Sequence, residues 1–363
     1  MKQIDRILVI IRRYNGDVLL ASPLIDALAE QYHSPKIDLL VNDDTLGIAK
    51  TISGIDTIHT FSYRWRTLSV VERVKKEFIL FRSLYKKYDL SINLTANDRS
   101  IVYAIAASPH AISAVEEEST KAWWKKIFLK QTYTFDLNKH ILSNNLTPLK
   151  LLNIEPEKMI LKVNHTQKSQ DRIRQKLQEK GIEKFIIFHP SAQHAYKIYP
   201  QEYRNRLLEL LNGLKLPVLI TGAASELELN IKASLPKLEY IYDFMGETTL
   251  DEYIALSDLS LAYIGMDTLN MHIAAGQNKN IFAVFGPTFP QIWSPWSNET
   301  QSYAKESKAV QRYGNVTLFQ ADMPCVACGL AGCDDKGGKS DCLYNIDPNT
   351  IFKEVSTCLA RSL

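Results

Sequence analysis

No apolar run in this sequence of 363 residues approaches the length of about 18 that a membrane-spanning helix requires. We expect no secretory signal at the N terminus, because the apolar stretch 7–11 is short and is followed by Arg12 and Arg13. Repeats of solenoid period and low-complexity segments are absent as well. These absences favour a globular protein whose five cysteines lie in a reducing, cytosolic environment.

Charge of one sign is in small excess, because 43 basic residues against 40 acidic residues give a net charge of only +3. Such an excess does not indicate a nucleic-acid-binding protein, and we expect no nucleic-acid partner. The basic residues nevertheless concentrate in the first 130 positions, with clusters at 12–13, 64–66, 75–76, 86–87 and 121–130. This half of the chain suits an anionic partner, although a solvated surface explains any single pair.

Strand and helix patterns alternate along the chain, which is typical of parallel sheets covered by helices. In the first half, apolar strands are predicted at 6–11, 36–41, 57–61 and 90–94, and helices at about 18–32 and 72–87. In the second half, strands are predicted at 184–189 and 217–221, and helices at 203–212, 226–234 and 249–257. A polar stretch, 164–184, is predicted to join the two halves.

The length and a hydrophobic content of 45% are sufficient for two domains. We predict an α/β fold of two Rossmann-like, doubly wound domains that face each other across a cleft lined by strand–helix loops. The predicted domains are 1–165 and 166–345. A C-terminal helix at 346–363 completes the chain, and packing back on the N-terminal domain is one arrangement open to it.

The most informative segment is a strand–helix–strand unit at 259–285. Its first apolar run, 259–264, is predicted to end at Gly265 and to turn into a helix whose first turn carries Asp267 and Thr268; a second strand follows at 281–285. Thr268 and His272 are four residues apart, so they share a helix face. Because free N–H groups and the helix dipole attract anions, the segment predicts a site for a phosphorylated ligand.

A simple helix cap at Asp267 and Thr268, with His272 satisfied by the core, is compatible with such an anion site. A metal site formed by Asp267 and His272 is not expected, because two ligands without a third rarely bind a metal ion tightly.

Three further strand–helix loops carry charged candidates. Asp17 follows Gly16 at the start of a helix, where it is either an N-cap or a carboxylate available as a general base. Lys197 follows the strand ending at 189, where it either contacts a phosphate or is solvated. Glu226 either accepts hydrogen bonds from ribose hydroxyls or complements the dipole of its helix.

Two segments have unusual composition. The cysteines at 325, 328, 333 and 342 have the spacing of a zinc site, with reduced thiols that order a loop as the alternative. The segment 123–130 combines two tryptophans with three lysines. It is either a helix at the interface of an anionic membrane or an ordinary helix that lies half in the core.

On these motifs the chain resembles glycosyltransferase family 9, the ADP-heptose:lipopolysaccharide heptosyltransferases. The resemblance rests on 15–20 with Pro23, on 190–200 with Lys197, and above all on 267–275 together with 285–288. It implies the GT-B fold and inverting transfer of heptose from ADP-heptose to the inner core of lipopolysaccharide, with no metal or other cofactor. It also implies a cytoplasmic enzyme at the inner face of the inner membrane.

The resemblance also assigns roles to individual residues. Asp17 matches the general base, and the donor-binding residues are Lys197, Glu226, Asp267, Thr268 and His272. Arginines suit the phosphates and carboxylates of the acceptor because they bind them in bidentate fashion; the candidates are Arg12, Arg13, Arg64, Arg66 and Arg99.

Two positions depart from the family pattern. Leu269 stands where the family usually has Gly, and Asn280 stands where it usually has Pro, and both departures bear on the fine geometry of the donor site. A nucleotide-sugar-binding scaffold that has lost catalysis is one alternative. A GT-B epimerase acting on free nucleotide sugars is another.

Overall fold

The computed structural model describes residues 3–116 and 123–361. The chain divides into two compact units, Met1–Asn164 and His165–Leu363. Each has its own sheet and its own hydrophobic core. Within the described residues, no helix has both the length and the apolar character needed to cross a membrane.

The first unit is built on a six-stranded sheet in the order β3-β2-β1-β4-β5-β6. All neighbouring strands pair in parallel. The strands are β1 (Arg6–Ile11), β2 (Lys36–Asn42), β3 (Thr57–Phe61), β4 (Leu90–Asn93), β5 (Ala111–Val115) and β6 (Gln131–Thr134). The central strands are continuous apolar runs because helices cover both of their faces.

Eight α-helices lie among the described residues of the first unit. They are α1 (Asn15–Leu19), α2 (Ser22–Gln31), α3 (Leu46–Ala49), α4 (Val70–Leu84), α5 (Asp98–Ala107), α6 (Trp123–Phe128), α7 (Ile141–Asn145) and α8 (Thr147–Leu151). The single helix predicted at 18–32 is two helices, α1 and α2. The second of these begins afresh at Ser22, with Pro23 in its first turn, where a missing N–H costs nothing.

The second unit contains a seven-stranded sheet in the order β12-β13-β11-β10-β7-β8-β9. Its strands are β7 (Ile186–His189), β8 (Val218–Ile220), β9 (Ile241–Asp243), β10 (Ala262–Met266), β11 (Asn280–Val284), β12 (Val310–Tyr313) and β13 (Val316–Phe319). Only the edge strand β12 runs antiparallel to its neighbour. The remaining pairs are parallel.

The part of the second unit that the structure describes contains seven α-helices. They are α9 (Gln167–Glu179), α10 (Gln201–Asn212), α11 (Glu226–Ala233), α12 (Leu250–Leu259), α13 (Leu269–Gly276), α14 (Pro290–Trp293) and α15 (Pro348–Leu359). The stretch 164–184, predicted as a connector, contains α9. This helix is capped by Thr166 and packs against α12, so its many polar residues form a solvated face.

The C-terminal helix, for which packing on the N-terminal domain was one expectation, packs within the second unit. α15 lies against α10, and Ile351, Val355 and Leu359 are buried in the same core cluster as Phe188 of β7. The hydroxyl of Tyr199 donates a hydrogen bond to the carbonyl of Ile346, just before this helix.

Candidate functional site

Each unit has one place where the strand order reverses direction. In the first unit it lies between β1 and β4, and in the second between β7 and β10. Ligands of doubly wound sheets bind at such switch points, beside the carboxyl ends of the strands. The loops that follow these four strands, together with the first turns of the next helices, contain most of the residues singled out by the sequence.

The turn after β10 lies later in the sequence than predicted. The strand continues through Gly265 and Met266, and the helix begins only at Leu269. Thr268 is the N-cap in an extended conformation, and its side chain makes no capping hydrogen bond. Asp267 and Thr268 therefore precede the helix instead of lying in its first turn. The first N–H groups of α13 lack a side-chain acceptor from their cap and are available to an anion.

Lys197, which the sequence predicts as a phosphate-binding residue, lies beside this turn. Its ammonium donates to a carboxylate oxygen of Asp267 at 2.8 Å. Burial favours the neutral amine, but the charge and hydrogen bond of Asp267 outweigh it and raise the pKa of Lys197. The lysine is therefore held charged, in one orientation, in front of α13.

His272 is buried one turn into α13. Burial lowers its pKa to about 4; the charge of Asp267 opposes this shift and that of Lys197 adds to it. The ring is therefore neutral at neutral pH. Its Nδ1 has no hydrogen-bond partner among the described residues.

A second buried histidine was not assigned a role from the sequence. His189, the last residue of β7, lies with its Nδ1 3.1 Å from the hydroxyl of Thr221 and 2.9 Å from the amide nitrogen of Asn270. Burial lowers its pKa to about 4. Asn270 and Thr221 follow β10 and β8, so the cluster joins three strand ends. The sequence signal for this residue was its position, a polar residue at the carboxyl end of an apolar strand, where ligands of such sheets bind.

Glu226 is exposed in the first turn of α11. The neighbouring Glu228 is the acid that the loop after β8 holds in place. Its carboxylate accepts hydrogen bonds from the N–H of Ala223 at 2.8 Å and from the hydroxyl of Ser225 at 2.7 Å, completing a capping box. An acid three residues after a serine cap was the signal for this structural role.

Asp17 is buried at the first switch point and is not an N-cap. Tyr14 caps α1, and Asp17 is its third residue. One of its carboxylate oxygens lies 2.9 Å from Nε of Arg13, an ion pair without hydrogen-bond geometry. Burial raises the pKa of Asp17, although Arg13 and the backbone N–H groups of Tyr14 and Asp17 pull it down. A carboxylate with a raised pKa is suited to accept a proton.

The candidate acceptor arginines differ in their surroundings. Arg12 is buried, with its guanidinium 3.8 Å from the ring centre of Phe61, and burial lowers its pKa. Arg99 lies over the same ring at 5.1 Å. Arg64 and Arg66 are exposed on the 3-10 turn Tyr63–Thr67 that follows β3. Arg12 and Arg13 lie in the loop after β1, whereas Arg99 is the second residue of α5, the helix that follows β4.

The four clustered cysteines lie between β13 and α15. Cys325, Cys328 and Cys333 are exposed, Cys342 is buried, and none of these four forms a disulfide. Burial raises the pKa of Cys342 to about 11, with the other three thiols adding to the shift. Among residues 3–116 and 123–361, no group of three or more His, Cys, Asp or Glu is arranged to hold a metal ion.

The fold is that of solved glycosyltransferases. The glycosyl transferase of family 9 from Veillonella parvula matches with a TM-score of 0.79 at 16% identity, over 99% of both chains. The Escherichia coli heptosyltransferase WaaC with ADP matches with a TM-score of 0.73 at 16% identity, over 97% of this chain and 99% of that one. The predicted GT-B fold class is confirmed.

The family is fixed by sequence. The family model described as "Glycosyltransferase family 9 (heptosyltransferase)" matches residues 78–319, more than half of the chain. The chain belongs to this family, and it is a glycosyltransferase. Lipopolysaccharide heptosyltransferase 3 of Escherichia coli is 27% identical to it over 295 residues, which cover 79% of this chain and 85% of that protein.

Proposed function

We propose that this enzyme transfers heptose from ADP-heptose to the inner core of lipopolysaccharide, with inversion at the anomeric carbon. The lipopolysaccharide heptosyltransferase among its relatives supports the reaction, and the related WaaC with ADP supports the nucleotide. The acceptor is built on a lipid, so we place the reaction at the cytoplasmic face of the inner membrane. No nucleic acid takes part.

The observation that carries the proposal is the arrangement of Lys197 in front of α13. A fixed ammonium, the free N–H groups of a helix start and a neutral buried imidazole form a site suited to a diphosphate. Asp267 orients the lysine in the free protein. When ADP-heptose binds, its phosphates share the positive charge that Asp267 alone neutralises in the free enzyme.

The chemistry follows from this placement. The acceptor hydroxyl forms a bond to the anomeric carbon as the bond from that carbon to the phosphate oxygen breaks, and ADP leaves with the electron pair. The hydroxyl proton passes to Asp17. Lys197 and the start of α13 stabilise the charge that develops on the leaving phosphate, which is often the largest catalytic contribution. Proton abstraction by a positioned base adds typically about 10²–10⁴-fold.

The acceptor is anionic, and the first unit supplies its counter-charges. We propose that Arg12, Arg13 and Arg99 contact carboxylates or phosphates of the core sugars, because these residues follow β1 and β4 at the carboxyl end of the sheet. The exposed Arg64 and Arg66 bind carboxylates or phosphates at the periphery of the acceptor.

The direct test is incubation of the purified enzyme with ADP-heptose and heptose-deficient lipopolysaccharide. We expect the acceptor mass to increase by one heptose residue and ADP to be released in equal amount. No mass increase with any truncated inner-core acceptor, while ADP still binds, would reject the assigned reaction.

Lys197→Gln tests the donor site separately. We expect calorimetric ADP affinity to fall by at least about tenfold, because a charge-assisted contact is worth about 1.5–3 kcal/mol. Lys308→Gln is the matched control, since Lys308 forms an exposed ion pair with Glu306 before the edge strand β12. Equal affinity in the two variants would place the diphosphate elsewhere.

A further inference from the structure

Large apolar side chains are exposed on three successive helices of the first unit. They are Val70, Val71, Val74, Phe78 and Ile79 on α4, Val102 on α5, and Trp123, Ile127 and Phe128 on α6. Phe78, Trp123 and Ile127 are each more than 60% exposed. We call this set the α4–α6 apolar surface. A concentration of exposed apolar groups of this kind is typical of an interaction site.

The three helices lie on one side of the sheet. Each connects parallel strands that advance in the same direction, β3 to β4, β4 to β5 and β5 to β6, and such crossovers are right-handed. Leu84 of α4, Ala104 of α5 and Trp124 of α6 also belong to, or pack on, one core cluster with Leu8 of β1. The exposed side chains of these helices therefore share a face of the unit.

α4 carries two apolar stripes, whereas a helix that covers one face of a sheet needs only one. Leu80 and Leu84, four residues apart, are buried and form the stripe that packs on the core. Val71, Val74 and Phe78, spaced three and four apart, form a second stripe that is exposed. A capping box at Ser69 and Glu72 fixes the start of the helix, so the second stripe is presented on a well-formed helix.

The segment also has a strong excess of positive charge. Between 70 and 87 the basic residues are Arg73, Lys75, Lys76, Arg82, Lys86 and Lys87, against the acidic Glu72 and Glu77. Glu72 is bound in the capping box, and Glu77 lies within ion-pair distance of Arg73 and Arg99. The apolar stripe is thus flanked by exposed lysines and by Arg82.

We infer that the α4–α6 apolar surface docks on an anionic lipid bilayer, which takes up the apolar side chains while its headgroups bind the lysines and arginines. The occupant is lipid and not a second copy of the chain, because a symmetric dimer through this face would bring two cationic segments together. The inference rests on the proposed function in one respect only, since a lipid-linked acceptor explains why the enzyme needs a membrane.

The segment at 123–130, which the sequence singled out for this role, contributes only part of the surface. Trp123 is exposed, whereas Trp124 packs against the core cluster. Lys125 is buried and pairs with Asp98 at 2.8 Å. The larger contribution comes from α4, whose apolar stripe and lysines lie on one helix.

The test is co-sedimentation of the full chain with vesicles of phosphatidylethanolamine and phosphatidylglycerol, compared with vesicles of phosphatidylcholine alone. We expect binding to the anionic vesicles and at least about tenfold weaker binding for the double variant Val71→Asp, Phe78→Asp. The matched control is Leu229→Asp, Leu330→Asp, which adds the same charge at exposed leucines of the second unit. Wild-type affinity in the α4 variant would overturn the inference.

The lipid charge is tested by Lys75→Gln, Lys76→Gln. We expect about a 25-fold loss on the anionic vesicles and no change on phosphatidylcholine, because each of the two cations contributes about fivefold near an anionic surface. Equal binding to both lipids by the wild type would contradict the electrostatic part of the inference.

Two further measurements separate the remaining outcomes. Quenching of tryptophan fluorescence by spin-labelled lipid should occur in the wild type and decrease in Trp123→Phe. This measurement does not depend on the folding of the aspartate variants.

Analytical ultracentrifugation should show the same oligomeric state for the wild type and Val71→Asp, Phe78→Asp. A dimer lost in the variant, with vesicle binding unchanged, would assign the surface to a second copy. Vesicle binding without any heptose transfer would reject only the proposed function.

Discussion

Burial decides how individual carboxylates and histidines of this enzyme behave. Asp17 and His272 are both almost inaccessible to solvent, and each is shifted toward its neutral form. For Asp17 the shift makes the carboxylate a better proton acceptor. For His272 it removes a positive charge that would otherwise lie next to Lys197.

Asp17→Asn should lower kcat by about 10²–10⁴-fold, because the amide keeps the shape of the side chain but cannot accept the hydroxyl proton. ADP affinity, measured by calorimetry, should stay unchanged. The control is Asp26→Asn, which removes an exposed carboxylate paired with Lys162 in the same unit. Turnover near the wild-type rate in the Asp17 variant would show that another group takes the proton.

His272 makes the stability of the fold depend on acidic pH. As pH falls below the usual histidine pKa of 6.5, the unfolded chain takes up a proton, whereas the folded ring does so only near pH 4. The free energy of unfolding therefore decreases from pH 6.5 to pH 4 and is insensitive to this group above 6.5. A pKa shift of this size lowers the free energy of unfolding by about 3 kcal/mol over this pH range.

We expect His272→Asn to remove the part of the decrease in unfolding free energy between pH 6.5 and pH 4 that this histidine causes. Urea unfolding of wild type and variant at several pH values should give curves that converge as the pH falls. The control is His33→Asn, at an exposed position with a φ of 54° that asparagine tolerates. If the free energy of unfolding changed with pH equally in the wild type and the His272 variant, the ring in the folded protein would have an ordinary histidine pKa.

At the scale of elements, β10 pairs with β7 at Gly265, where there is no room for a side chain. A Cβ at Gly265 would lie 2.7 Å from the carbonyl oxygen of His189 and 2.5 Å from the hydroxyl of Tyr263. The strand therefore needs a glycine at this position, because a side chain would collide with the His189 carbonyl and the Tyr263 ring. The glycine lies inside the strand and does not end it.

Gly265→Ala should lower the free energy of unfolding by about 1–3 kcal/mol through overpacking, as measured by chemical denaturation. The double variant Gly265→Ala, Tyr263→Phe should recover only part of the loss, since the carbonyl of His189 remains in the way. Full recovery would attribute the whole effect to the tyrosine hydroxyl.

Elements with strong hydrophobic patterns were predictable, and those defined by pairing were not. Strands β1, β2 and β3 were found from the sequence to within two residues, because their apolar residues alternate or run continuously. Helix α10 was found to the same accuracy because its leucines recur on one helix face. The strand β6 is polar and only half-buried, and its place is set by pairing with β5. The hydrophilic helix α9 was overlooked because few of its side chains are buried.

The same limit applies to the site. Lys197, Asp267 and His272 were predicted from their positions after strands, and the structure brings them together. Glu228 was overlooked although its capping box with Ser225 is a local motif. Asn270 was missed because its role depends on a contact with His189, a residue distant in the chain. Periodicity and local motifs contain no information on such partners.

At the scale of the whole molecule, the two units are distinct in their cores and in their proposed tasks. Every proposed donor-binding residue lies in His165–Leu363, and the core cluster around Phe188 draws only on that unit. The units share one strand order, with the edge strand β12 added to the second sheet.

We therefore expect the fragment 165–363 to fold alone and to bind ADP with a Kd of the same order as the full chain. Circular dichroism and calorimetry on the isolated fragment provide the measurement, and Lys197→Gln in the fragment provides the control. A folded fragment without affinity for ADP would mean that the first unit contributes to nucleotide binding.

The position of α15 has a consequence for biosynthesis. The core of the second unit includes Ile351, Val355 and Leu359, so the sheet that begins at β7 is completed by side chains translated more than 150 residues after its first strand. The first unit, by contrast, has all of its strands once β6 has left the ribosome, and domains generally fold as units during synthesis. Nascent chains of this enzyme consequently acquire the half assigned to the acceptor before the half assigned to the nucleotide, and a ribosome stalled upstream of α15 would hold a second sheet with an uncovered face, a substrate for chaperones.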